Sequence, residues 1–144
     1  MRKETRLADI RQVTPEFAVA PQLSEDDFAA IAAAGFKAVI NNRPDGEVPG
    51  QIPDAEARKA AAAARLQYVA IPVSGGATPA QVDATVKALG ELKGPVLAYC
   101  RSGTRSITTW ALAQAKLRSA DEIISLAKGA GYDLAALKPT LDRA

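Results

Sequence analysis

Val96-Leu97-Ala98-Tyr99-Cys100-Arg101-Ser102-Gly103-Thr104-Arg105-Ser106 joins a short apolar run to a polar, glycine-containing loop and then to a helical stretch. A brief apolar run closed by such a loop reads as a buried strand. The order strand, loop, helix predicts that Cys100 stands at a strand end with its sulfur exposed. Backbone N–H groups of the loop and of the first helical turn then point at one spot, which is how folded chains hold anions. The same N–H groups, with the guanidinium groups of Arg101 and Arg105, favour a thiolate. Gly103 permits the backbone conformation that turns amides inward. Ser106 can cap the helix or hydrogen-bond the sulfur. Two arginines this close repel each other unless an anion or a carboxylate lies between them. A lone cysteine is commonly an inert core residue, but an inert one has no need of this loop. The chemistry predicted is attack by sulfur on an oxyanion of phosphorus or sulfur.

Upstream, residues 10–13 and 17–20 read as a hairpin turned at Thr14-Pro15-Glu16. Ser24 opens a helix with Asp27 at the capping-box position, Phe28, Ile31 and Ala32 at helical spacing, and Gly35 closing it. Residues 37–40 form a strand, and a long polar loop, 41–53, follows it. An alanine-rich helix spans 54–65 and a strand 67–73. Ser74-Gly75-Gly76-Ala77 leads to a helix opened by Thr78-Pro79, with Val82, Val86 and Leu89 as its apolar stripe. After Cys100 only helices are expected: 106–117 burying Ile107, Trp110, Ala111 and Leu117, another after Ser119 carrying Ile123, Leu126 and Ala127, and a last one over 134–141. Trp110 reads as core, and Tyr99 as packed against the loop. This alternation predicts an α/β fold with a mostly parallel central sheet flanked by helices. Ligands bind such sheets beyond the C-terminal strand ends, so loops 41–53, 74–77 and 100–105 are expected to converge on one pocket.

Length and composition narrow the functions. The 144 residues predict a single domain, 1–144. A net charge of +2 and an aromatic content of 5% argue against nucleic acid as a partner. No stretch approaches a membrane span, and the charged Met1–Arg6 has no apolar run behind it, so no leader is expected. One cysteine excludes an intrachain disulfide and suits a reducing, cytoplasmic setting. Histidine is absent, which removes Ser-His-Asp and Cys-His catalysis and leaves activation of the sulfur to loop dipoles and arginine. No metal and no cofactor are expected.

The loop Cys100-Arg101-Ser102-Gly103-Thr104-Arg105-Ser106 resembles the active-site loop of rhodanese-like sulfurtransferases, Cys-Arg-x-Gly-x-Arg. It also resembles the phosphate loop of tyrosine and dual-specificity phosphatases, with Gly103 in register, Arg105 one position early and Tyr99 where histidine is usual. The strand and loop Val39-Ile40-Asn41-Asn42-Arg43-Pro44, the strand Val69-Ala70-Ile71-Pro72-Val73 and the helical tail resemble the phosphatase architecture. Over residues 5–140 or so the chain is similar to the phosphatase-like domain of the bacterial beta-lactamase-hydrolase-like family. The resemblance implies a cysteine-phosphatase-like fold. It also implies sulfur transfer as one activity and a persulfide-dioxygenase-like enzyme as a partner.

It further implies a general-acid aspartate after the Ile71-Pro72-Val73 strand, but Ser74 to Ala77 carry no carboxylate. Arg43-Pro44-Asp45-Gly46-Glu47 offers the alternatives, either as a polar turn or as a loop over the pocket lending Arg43 and a carboxylate, with Asp45 ahead of Glu47. Thiolates leave without a strong acid. The expected activity is therefore a sulfurtransferase in which Cys100 takes sulfur from a small anionic sulfane donor as a persulfide and passes it to a thiol acceptor. Arg101, Ser102, Gly103, Thr104, Arg105 and Ser106 hold the anion. The alternative is a phosphatase acting on a phosphoester through a Cys100 thiophosphate, with Arg105 gripping the oxygens and Asp45 or water supplying the proton. A redox sensor or simple anion-binding module is a third reading, disfavoured by the lack of a second thiol.

Overall fold

In the computed structural model, which describes residues 9–144, Val96–Tyr99 forms β5, the middle strand of a five-stranded sheet. The segment Met1–Arg6, read above for a leader, lies outside the described residues. The remaining elements are β1 (Arg11–Thr14), β2 (Phe17–Ala20), α1 (Glu25–Ala33), β3 (Ala38–Asn41), α2 (Asp54–Ala63), β4 (Gln67–Ala70), α3 (Pro79–Glu91), α4 (Thr104–Ala113), α5 (Ala120–Gly129), a 3-10 turn (Ala135–Leu137) and α6 (Lys138–Asp142). Strand order is β1-β2-β5-β3-β4. Among the described residues, only the β1–β2 hairpin is antiparallel. The expected mostly parallel α/β sheet is what the chain forms.

Register explains where the loops meet. Tyr99 is level with Ala20 on one side and Asn41 on the other, and Asn41 is level with Ala70. Segments leaving β2, β5, β3 and β4 therefore start on one edge of the sheet. Residues alternate across it, and the three inner strands β2, β5 and β3 are buried along their whole length, as strands covered on both faces are. Val19, Ile40, Val96 and Ala98 face the layer containing Ile107, Trp110 and Ile123, while Val39, Leu97 and Tyr99 face Phe28, Ile31, Ala57 and Ala61. Alanine at 57 and 61 lets α2 lie close against the sheet.

Local chemistry sets the ends. The Asp27 carboxylate accepts the Ser24 amide at 2.8 Å, the expected N-terminal cap of α1. Gly35 follows that helix at φ +103°. The Thr78 hydroxyl accepts the Gln81 amide and Pro79 opens α3. β4 stops at Ala70, short of the expected residue 73, because Pro72 has no N–H to continue the ladder.

Three expectations need correction. Val86 is 49% exposed, and Thr85 and Ala88 take the buried face of α3; the Thr85 hydroxyl is satisfied by the Gln81 carbonyl at 2.8 Å. Leu117 is 74% exposed because α4 ends at Ala113. Tyr99 does not pack on the loop: alternation along β5 sends it to the opposite layer, edge-on to Phe28 with ring centroids 6.3 Å apart. Trp110 is core as expected, stacked on Phe17 at 5.4 Å. Among the described residues no helix is long and apolar enough to cross a membrane.

Candidate active site

Cys100 follows the central strand directly, and the loop after it folds into a nest of amides. Gly103, at φ +91°, is the N-cap of α4 and donates its amide to Cys100 Sγ at 3.2 Å. The loop carbonyls turn outward and are occupied. That of Arg101 accepts the Gln22 amide at 3.2 Å, that of Gly103 accepts the Ile107 amide at 2.9 Å, and that of Ser102 accepts the Tyr132 hydroxyl at 3.0 Å. Among the described residues, the amides of Arg101, Ser102, Arg105 and Ser106 have no hydrogen-bond acceptor. Unpaired amides in a loop that leads into a helix N-terminus are the donors from which anion sites are built.

Arg105 completes it. Its Nη1 donates to Glu47 Oε2 at 2.7 Å and to the Val73 carbonyl at 2.8 Å, and its Nη2 donates to Glu47 Oε1 at 2.8 Å. A guanidinium has five N–H donors in a fixed fork. The three bonds consume both donors of Nη1 and the end-on donor of Nη2. What remains is the side-on pair, Nε–H with the second Nη2–H, which matches a tetrahedral oxyanion bidentately. Hydrogen bonding to Glu47 raises the Arg105 pKa, and the nearby Cys100 adds to the effect.

Glu47 also ties in Arg43, whose Nε donates to Oε1 at 2.7 Å and whose Nη1 donates to Gln22 Oε1 at 3.0 Å. The bonds from Arg105 and then Arg43 pull the Glu47 pKa down to about 2. It is a carboxylate at neutral pH and a poor proton donor. The cluster holds two cations, Arg43 and Arg105, and one anion, Glu47. Among the described residues, two buried polar atoms at this site lack a partner, Arg43 Nη2 and Ser106 Oγ.

The structure brings Cys100, Gly103, Arg105, Ser106 and Arg43 together, with Arg101, Ser102 and Thr104 exposed at the rim. It corrects three expectations. The sulfur is not exposed at the strand end: Cys100 is 0% accessible, and its Sγ accepts the Gly103 amide. Ser106 does not cap α4; Gly103 occupies that position and Ser106 is the third helical residue. The two carboxylates exchange order. Asp45 Oδ1 accepts the Asp54 amide at 2.7 Å and so caps α2, whose own N-cap residue is Pro53, while Glu47 reaches both arginines. Loop 74–77 brings no carboxylate, and the contribution from that side is the Val73 carbonyl. Sequence reasoning missed Gln22 and Tyr132. Gln22 becomes visible once β2 is known to lie beside β5; Tyr132 has no local signal.

The chain matches the family described as beta-lactamase hydrolase-like protein, phosphatase-like domain, over residues 9–117. It is 38% identical over 136 residues to a beta-lactamase hydrolase-like protein of Agrobacterium fabrum, covering 92% of this chain and 31% of that protein. It is 36% identical over 142 residues to one of Xylella fastidiosa strain 9a5c, covering 96% and 32%. The chain thus spans about a third of the length of these relatives. Among solved structures, a candidate phosphatase from Neisseria meningitidis Z2491 superposes with a TM-score of 0.81 at 32% identity, covering 94% of this chain and 97% of that one. Tk-PTP in its active form, at 16% identity and a TM-score of 0.65, covers 94% and 97% and shares the fold.

Proposed function

The chain belongs to the phosphatase-like domain family of beta-lactamase hydrolase-like proteins, and on that premise we propose that it is a cysteine-dependent phosphohydrolase. What supports this reading is the segment 100–106 itself: it carries the Cys100 sulfur with the Gly103 amide on it, four amides without an acceptor among the described residues, and the Arg105 guanidinium held by Glu47. A phosphoryl group held by those donors lies over the sulfur. The Cys100 thiolate attacks phosphorus, an S–P bond forms, and the ester P–O bond breaks with its electron pair leaving on the departing oxygen. Water then attacks phosphorus, the S–P bond breaks, and phosphate leaves the regenerated thiolate. The amides and Arg105 stabilise the charge that builds on the equatorial oxygens in both steps. Ser106 Oγ, buried and unpaired, is a free donor for the sulfur as it leaves.

The leaving group must depart without a strong acid. Glu47 is ionised, Asp45 is committed to α2, and loop 74–77 has no carboxylate. Aryl phosphates, whose phenolates leave readily, are favoured over alkyl esters. We read residues 1–144 as one catalytic unit suited to a reducing compartment.

The same lack of an acid favours a second reading, sulfur transfer. There Cys100 attacks the outer sulfur of thiosulfate, the S–S bond breaks, sulfite leaves, and a thiolate acceptor removes the sulfur from the persulfide. Initial rates on a series of aryl phosphates and on thiosulfate with a thiol acceptor, in the parent chain and in Cys100→Ser, separate the two. Aryl phosphate turnover that Cys100→Ser abolishes is expected. Thiosulfate turnover with inert aryl phosphates overturns the phosphatase reading.

A further inference from the structure

Ser102 O and Gly103 N belong to one peptide unit, and a trans peptide points its carbonyl and its N–H in opposite directions. At one end of this unit the Gly103 amide donates to Cys100 Sγ at 3.2 Å. At the other, the Ser102 carbonyl accepts the Tyr132 hydroxyl at 3.0 Å. We propose that Tyr132 is a positioning residue for the anion loop, its hydroxyl holding the Ser102–Gly103 peptide so that the Gly103 amide faces the sulfur. This rests on the loop being the anion site proposed above. Tyr132 lies beyond the residues that match the family, 9–117.

The peptide needs such a holder because of the residue beside it. Glycine crosses between backbone regions at little cost, so rotation of the plane preceding Gly103 is not opposed by a side chain. A flipped peptide turns the Ser102 carbonyl oxygen toward the sulfur, where it repels both a thiolate and a bound oxyanion. The tyrosine blocks this from outside. It lies so close that a Cβ at position 103 overlaps its hydroxyl.

Tyr132 is itself fixed. Its amide donates to the Ala127 carbonyl at 2.9 Å, at the end of α5. The Arg11 guanidinium lies over its ring, 5.9 Å from the centroid, and Arg11 Nη1 donates to the Ala130 carbonyl at 3.3 Å. A line of contacts thus runs from edge strand β1, through the turn after α5, to the peptide facing the nucleophile. Burial raises the Tyr132 pKa, which keeps the hydroxyl a neutral donor at physiological pH.

The test is Tyr132→Phe in the full chain, which keeps the ring and the Arg11 stack and removes the one hydrogen bond. Amide hydrogen exchange, read residue by residue by nuclear magnetic resonance, reports the Gly103 N–H directly. Titration with tungstate, a tetrahedral oxyanion, reports the nest. Both are expected to change by about fivefold, the factor for one net hydrogen bond: faster Gly103 exchange and weaker tungstate binding. Amides of β5 and α5 keep their parent protection, which shows that the fold is intact. Unchanged Gly103 exchange in Tyr132→Phe overturns the proposal. If the parent chain binds no tungstate, the anion-site reading falls, and Gly103 exchange still decides whether Tyr132 holds the peptide.

Discussion

Replacing Glu47 by glutamine tests how Arg105 is held. The carboxylate accepts three charge-assisted hydrogen bonds, two from Arg105 at 2.7 and 2.8 Å and one from Arg43 at 2.7 Å. Glutamine keeps one acceptor oxygen and puts an NH₂ where the other was, facing an Arg105 donor. At least one bond is lost, and two cations lose their counter-charge, one of them on a side chain only 3% exposed. A hydrogen bond to a charged group is worth about 1.5–3 kcal/mol. Both Glu47 and Arg105 are partly exposed, so solvent screening makes the lower figure, about 1.5 kcal/mol, the right one. If that loss falls on the alignment of Arg105, kcat/KM for an aryl phosphate drops about tenfold. Lost from folding stability, it lowers Tm by roughly 3–6 °C. Initial-rate kinetics and thermal melts measure both, with Glu47→Asp, which retains the charge but loses reach, expected between parent and Glu47→Gln. Glu47→Gln with the parent's kcat/KM and Tm refutes the reasoning.

The same bridge sets a pH dependence: Glu47 is held near 2 against an ordinary 4.5, so its contribution to stability is complete above about pH 4.5 and drains away as pH falls toward about 2. Chemical denaturation across that range should show a shallower acid slope in Glu47→Gln. Asp45→Ala removes the α2 cap and is expected to cost about 1 kcal/mol of stability, while the dependence of rate on leaving-group pKa, measured over the aryl phosphate series, stays that of the parent; a steeper dependence makes Asp45 the general acid. Arg105→Lys keeps a charge but cannot offer a planar fork, and should lower kcat for an aryl phosphate by about a hundredfold or more in initial-rate assays. Gly103→Ala meets both a positive φ and the Tyr132 hydroxyl, and is expected to abolish tungstate binding measured by calorimetry and to lower stability by about 1–3 kcal/mol.

Much of the fold is legible because the inner strands β2, β3 and β5 are short, largely apolar runs set between polar or turn-forming segments. Such signals are local. Ser24 with Asp27, Thr78 with Pro79, and Val96 to Tyr99 act within a few residues of themselves. Cys100 and the loop after it are legible for the same reason. Their surroundings are not. Glu47 and Arg105 are 58 residues apart, and they meet because β3 lies level with β5, a fact of register. From sequence Asp45 looks the better reacting group, since it stands at the tip of a Pro-Asp-Gly turn. A short side chain in a turn bonds to nearby backbone, however, and Asp45 takes the Asp54 amide while the longer Glu47 spans the gap. Burial of the sulfur is equally non-local, because a strand end looks open until the loop beyond it is folded. Leu117 and Val86 lie outside the core because of helix length and helix phase, both set by tertiary packing.

The central claim is that Cys100 carries the phosphoryl group between the ester and water. Acid-quenched reaction with an aryl phosphate, followed by mass spectrometry of the peptide containing Cys100, tests it most directly. The account predicts one phosphoryl group on Cys100, absent in Cys100→Ser. Aryl phosphate turnover that persists in Cys100→Ser with no phosphoryl adduct, or a Cys100 that gains only a sulfur atom from thiosulfate and never a phosphoryl group, contradicts it.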